Sequence, residues 1–135
     1  MKSRDALIRL KRFEVEERRR KVAEIEFMIG EFSQMAADLD RQIGIEQERA
    51  GITDVNHYAY PTFAKAAVQR RNNLTASASD LEAKLAAARE QVEVAIEDLK
   101  KIELIEERDA ERMRIEQARS AELMALGGNI HRVAS

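Results

Sequence analysis

From Leu74 to Ile102 apolar residues return on a seven-residue cycle. Leu74, Leu81, Ala88, Ala95 and Ile102 hold one position of the cycle, and Ala78, Leu85, Val92 and Leu99 hold a second. Charged residues such as Glu82, Lys84, Arg89, Glu90, Glu93, Glu97 and Asp98 lie between them. An apolar position every 3.5 residues is the pattern of a helix whose narrow seam packs against one partner helix. A helix lying on a globular core would need a wider apolar face. The stretch therefore predicts a coiled coil, and the next question is where its partner helix lies.

The first third of the chain supplies one. Ile8, Val15, Val22, Ile29, Ala36 and Ile43 share one seam position and are all apolar. The second position is split, with Lys11 and Arg18 followed by Ile25, Phe32 and Leu39. Ser3 and Asp5 form a helix start, because short polar and acidic side chains suit the free amides of a first turn. Gly30, Ser33 and Gly44 are weak helix formers that do not break the pattern. Helix one is expected over about residues 3–49, roughly 70 Å at 1.5 Å per residue.

AGITDVNHYAYPT, residues 50–62, is the one interruption. Gly51, Thr53, Asp54 and Asn56 are turn and cap residues, and Pro61 suits the first turn of a following helix. The length of this elbow leaves room for a short helical turn begun at Thr53 or Asp54. Helix two is expected from about Thr62 to Leu126, nearly 100 Å at the same rise. Gly127-Gly128 then gives a stop, with 127–135 as a frayed tail.

A short connection between two seam-bearing helices predicts an antiparallel hairpin. Folding at the elbow brings Ile43 near Phe63 and Ala67, and Ile8 near Leu99 and Ile102. Past Ile102 the same register yields Glu106, Asp109, Met113 and Glu116, so the seam fades about where helix one runs out. The expected fold is thus a single all-α domain over 1–135. It is a long two-helix antiparallel coiled-coil hairpin whose second helix overhangs over 106–126, about 30 Å at 1.5 Å per residue.

Composition agrees with long solvated helices. Charged residues make up 36% and aromatics 4% of the 135, with one proline and no cysteine, so thiolate chemistry and disulfides are excluded. The net charge of −2 gives no general attraction to nucleic acid or anionic lipid. No apolar run has the length of a membrane span or the form of a signal peptide, so the expected location is the cytoplasm.

Charge is unevenly placed. Residues 2–21 carry nine bases against four acids, a net of +5, and residues 90–111 carry nine acids against three bases, a net of −6. In a hairpin the two stretches adjoin, which could simply fix antiparallel orientation. The sharper reading makes EERRRK, residues 16–21, a contact surface for an acidic partner. Lys11 and Arg18 at seam positions weaken packing there and favour it.

Catalytic chemistry is missing from the pattern. His57 and His131 are isolated in the elbow and the tail, no phosphate-binding glycine loop exists, and the carboxylates lie on solvated helices, where pKa values are not tuned for catalysis. No enzyme activity, metal or cofactor is expected, and His57 reads as a solvated loop residue. Two patches could bind a partner. At the elbow, Tyr58, Tyr60 and Phe63 either cap the hairpin end or dock something. Along the overhang, Ala110, Met113, Gln117, Ala121 and Met124 make a stripe too thin to stabilise an isolated helix.

With these segments in view, SRDALIRLKRFEVEERRRKVAEIE, HYAYPTFAKAAVQRRNNL and EDLKKIELIEERDAER resemble the flagellar export protein FliJ family in its alphaproteobacterial form. The likeness runs over essentially the whole chain, and YPTFAKAAVQRR is its most specific stretch. It implies an antiparallel coiled coil similar to the stalk of a rotary ATPase. Such a stalk would insert its two-termini end into the ring of the flagellar export ATPase, promote that ring's assembly and activity, and engage the export gate's membrane protein and export chaperones. The same likeness makes Lys11, Arg12, Arg18, Arg19, Arg20, Arg108, Arg112 and Met113 candidate ring contacts. Phe63, Ala67, Gln69 and Arg70 become candidate gate contacts. It also implies a cytoplasmic protein held peripherally at the membrane through the export apparatus.

The alternatives are a generic coiled-coil adaptor and the equivalent stalk of a virulence type III secretion system. A nucleic-acid-binding arm is disfavoured by the acids flanking Arg18-Arg19-Arg20 and by the net charge. A membrane-surface scaffold, and direct membrane insertion with it, is disfavoured by the acidic, alanine-rich second helix.

Overall fold

The computed structural model describes the backbone of residues 2–134 and the side chains of residues 3–127. It is all-α, with two long helices packed against each other. Helix α1 spans Lys2–Ala50 and carries Asp5 in its first turn and Arg49 in its last, each complementing the helix dipole. Because α1 begins at Lys2, Ser3 lies inside the first turn rather than capping it. Helix α2 spans Thr62–Ala134.

The connection is built from four devices. Gly51 has φ +68°, and its amide donates to the Gln47 carbonyl at 2.9 Å, the left-handed cap that ends a helix on glycine. The Asp54 side chain accepts from the Asn56 amide at 2.9 Å. Successive turns join His57 N to Asp54 O at 3.1 Å and Tyr60 N to His57 O at 3.0 Å. The turn begun at Asp54 is therefore not propagated into a helix. Pro61 precedes α2, and its carbonyl accepts the first helical bond from Lys65 at 3.0 Å, a role that needs no amide from proline.

The chain divides into two compact units, one formed by residues 15–93 and the other by residues 1–14 with 94–135. In the first, the elbow unit, Ile25, Leu81, Leu85 and Ala88 form a continuous core against which Val22, Ile29 and Phe32 pack. Val15, Ala36, Ile43, Tyr60, Ala64 and Ala67 are also buried. Ion pairs Glu26–Arg89 (4.0 Å) and Asp40–Arg71 (2.8 Å) show the direction, since α1 ascends as α2 descends. Ile43 and Ala67 are buried as the repeat predicts, but Phe63 is 58% exposed and Ala64 fully buried. One half-cycle before Ala67 the seam falls on Ala64, so the expected contact of Phe63 with Ile43 is replaced by alanine.

The second, the termini unit, is also antiparallel. Arg4 bonds both Glu106 (3.3 Å) and Asp109, while Arg12 meets Glu103 at 3.2 Å. Ile8 and Ala95 are its buried apolar residues. Glu106, Asp109 and Ala110 are half-buried, and every residue from Glu111 to Gly127 is exposed. The overhang thus begins at Glu111 rather than at residue 106, because Arg4 reaches forward to hold the intervening turn. The stop expected at Gly127-Gly128 is also absent. Helix α2 continues to Ala134, and Gly127 keeps a helical rather than a left-handed backbone.

Candidate partner-binding surfaces

The basic residues near the start of α1 have separate fates. Lys11 lies at a seam position, half-buried, with its ammonium 3.4 Å from Glu14, one turn on. Arg12 is engaged across the helices by Glu103. Arg12 and Arg4 account for the charge complementarity across the helices of the termini unit. In the elbow unit, Arg19 turns back to Glu16 at 3.2 Å and Arg20 to Glu17. Among the described residues no ion pair involves Arg18 or Lys21, and residues 16–21 are exposed. The EERRRK cluster therefore does not pair across the helices. Arg19 and Arg20 pair only with acids one turn back on their own helix, and such pairs are individually weak.

Arg18 occupies a seam position yet is exposed. An open groove of about 570 Å³ lies in the elbow unit, floored by Val22, Ala86 and Val92 and rimmed by Arg19, Arg89, Glu90 and Glu93.

The termini unit gathers Lys11, Arg12, Arg108, Arg112 and Met113, whereas Arg18, Arg19 and Arg20 belong to the elbow unit. Arg108 and Arg112 are exposed, and Met113 is 61% exposed. Electrostatics concentrate at Arg4. Its hydrogen bond to Asp109 holds that carboxyl below the usual carboxylate range and raises the guanidinium's own pKa.

At the elbow the three aromatics diverge. Tyr60 is buried and its hydroxyl accepts from the Gln47 side-chain amide at 2.9 Å. Tyr58 is 96% exposed and stacks on His57, with ring centroids 4.7 Å apart. His57 is itself exposed, and its Nδ1 accepts from the Ala59 amide at 3.0 Å. One aromatic thus caps the unit, while Tyr58 and Phe63 face outward. Of the candidate gate contacts, Phe63, Gln69 and Arg70 are exposed, but Ala67 is buried in the seam. Ala67 is inaccessible to a partner while the helices are packed.

Two features escaped the sequence pattern. Arg71 occupies a seam position of the extended repeat and reaches Asp40, a role that carrying the cycle back from Ala78 would have found. Phe27, 69% exposed on α1, has no signal in the repeat. Among the described residues no cluster of His, Asp and Glu is placed to hold a metal ion, and no helix is long and apolar enough to cross a membrane.

No protein-family model, curated protein or solved structure matches the chain.

Proposed function

We propose that this chain is a stalk-like coiled coil of the flagellar type III export apparatus, binding the export ATPase ring and linking it to the export gate and to export chaperones. The observation that carries this reading is the run of exposed residues from Glu111 to Gly127 on a helix that elsewhere packs against α1. A helix this solvated has too narrow an apolar stripe to be held by itself, and a partner surface would order it. The exposed bases Arg18, Arg19 and Arg20 add a second contact of the opposite character to the acidic face of α2. Phe63, Gln69 and Arg70 at the elbow serve the gate in this scheme. The stalk needs no active site. It biases the ring by contacting its states unequally, and only that difference in affinity can shift a conformational equilibrium.

The test mixes the chain with export ATPase and follows hydrolysis and ring assembly, beside a variant carrying Arg18→Glu, Arg19→Glu and Arg20→Glu. Stimulation by the native chain that the triple reversal abolishes supports the reading. A folded native chain that neither binds nor stimulates the ATPase leaves a coiled-coil adaptor of another system.

A further inference from the structure

The face of α2 that packs on α1 does not end where α1 ends. Ala95 is buried on it, Leu99, Ile102, Glu106 and Ala110 are half-buried, and the next residues on the same face are Met113, Gln117, Ala121 and Met124. Met113 is 61% and Met124 78% exposed. Helix α1 is described from Lys2, and Arg4 is already level with Glu106 and Asp109, so the described residues of α1 do not reach the track. A shallow groove of about 350 Å³ runs along this open track beside Met113, Gln117 and Met124.

We propose that a second copy of the chain covers this track, its α2 lying antiparallel on the first over residues 111–127. Continuity with the intramolecular interface is the first argument, since the stripe that receives α1 is already shaped for a helix and simply continues. Charge is the second. The segment holds three acids (Glu111, Glu116, Glu122) and three bases (Arg112, Arg114, Arg119), and Arg114 already returns to Glu111 at 3.2 Å. A charge-balanced strip attracts neither a strongly basic nor a strongly acidic partner and suits a copy of itself. Methionine at both ends of the stripe adapts to an imperfect neighbour. Direction follows from space. A parallel helix laid on this track would carry the second copy's whole hairpin into the room that α1 occupies beside Glu106 and Asp109, whereas an antiparallel one brings only the last two turns of its α2 toward that room and keeps the two copies of α1 at opposite ends. The strip is short and narrow, well under the roughly 800 Å² per partner of a stable interface. The pairing is therefore reversible, with a dissociation constant on the order of 100 μM. It goes beyond the export reading and stands without it.

Sedimentation equilibrium of the chain alone, from about 10 μM to 1 mM around that constant, tests the proposal. The expected result is an average mass rising from one chain toward two. Met113→Glu with Met124→Glu abolishes the rise, while Ile115→Glu, on another exposed face of the same segment, preserves it. All three substituted side chains are exposed, so helicity by circular dichroism should be unchanged. Because the chain lacks cysteine, single cysteines report direction. Ser120→Cys near the middle of the segment should cross-link under mild oxidation, and Ala110→Cys at its edge should not. A monomer at every concentration overturns the proposal, as does a dimer that survives the methionine substitutions. Cross-linking at both positions overturns the antiparallel arrangement. Protection of the segment by the ATPase, with the free chain monomeric, assigns the track to that partner instead. Such a result would refute self-pairing and leave the export reading intact.

Discussion

The two units use one architectural device to opposite ends. In the elbow unit the helices meet through ten buried apolar residues, from Val15 to Ala88, and Tyr60 ties the turn to α1 through Gln47. Among the described residues of the termini unit, Ile8 and Ala95 are the buried ones, Leu99 and Ile102 are half-buried, and three ion pairs from Arg4 and Arg12 cross between the helices. The exposed large apolar residues are distributed the other way. Of the seventeen among the described residues, eleven, including Leu10, Phe13, Met113, Ile115 and Met124, lie in the termini unit. One unit has placed its apolar residues in its own seam, while the other has left them at the surface. The contrast therefore separates a unit held by an apolar seam from one held mainly by charge.

The largest way to break the contrast is in the elbow core. Leu85→Ala removes a 5%-exposed side chain packed with Ile25, Leu81 and Ala88 and should cost about 3 kcal/mol in urea unfolding. A cost comparable to that of a surface substitution would mean that this core does not hold the unit. Next come Gly30→Ala and Gly44→Ala. A Cβ at either glycine meets nothing within 4 Å, so each substitution should stabilise by about 1 kcal/mol through helix propensity alone. A loss of stability at either position would reveal a neighbour that the packing does not show.

Smaller effects sharpen the other side. Arg4→Gln releases Glu106 and Asp109, and amide hydrogen exchange should quicken in the first turns of α1 while the elbow unit is unchanged. Acid should act at the same place. Asp109 titrates below the usual range because Arg4 hydrogen-bonds its carboxylate. The pair's contribution is therefore complete above about pH 4 and is lost as pH falls through Asp109's lower value. Arg4→Gln should remove that acid sensitivity, and an unchanged acid response in the variant would place it elsewhere. Smallest of all, Met113→Ala should change stability by less than about 0.5 kcal/mol because the side chain is already in water. A larger loss would show that the residue is covered within the free chain.

The fold was largely legible because it rests on one periodic rule. The repeats beginning at Ile8 and Leu74 named both seams, and the fading register after Ile102 named the overhang. The rule could not give the overhang's starting point, since Arg4 extends the contact by reaching forward with a long side chain rather than by packing. The same limit applies at the elbow. Periodicity distinguishes Ala64 from Phe63 only if the cycle is carried backward from Leu74 through Arg71 and Ala67, and residue size argues for the wrong neighbour. The glycine pair was read as a stop from composition, but glycine permits a left-handed cap without requiring it. For the surfaces, the sequence located the bases but not which acid each would meet. Arg12 and Arg19 differ only in whether the nearest acid lies across the seam or one turn away.

Among the described residues no large side chain is completely buried. The seam is one layer thick, so its contacts succeed one another along the helices instead of supporting each other in three dimensions. Under a pulling force applied at Arg4 and Asp109, the layers of the termini unit would be loaded in series. The two helices would separate contact by contact, like a zipper, with the first step set by two hydrogen-bonded carboxylates and the next by Ile8. Such a junction yields gradually, at low force, and closes again when the load is removed.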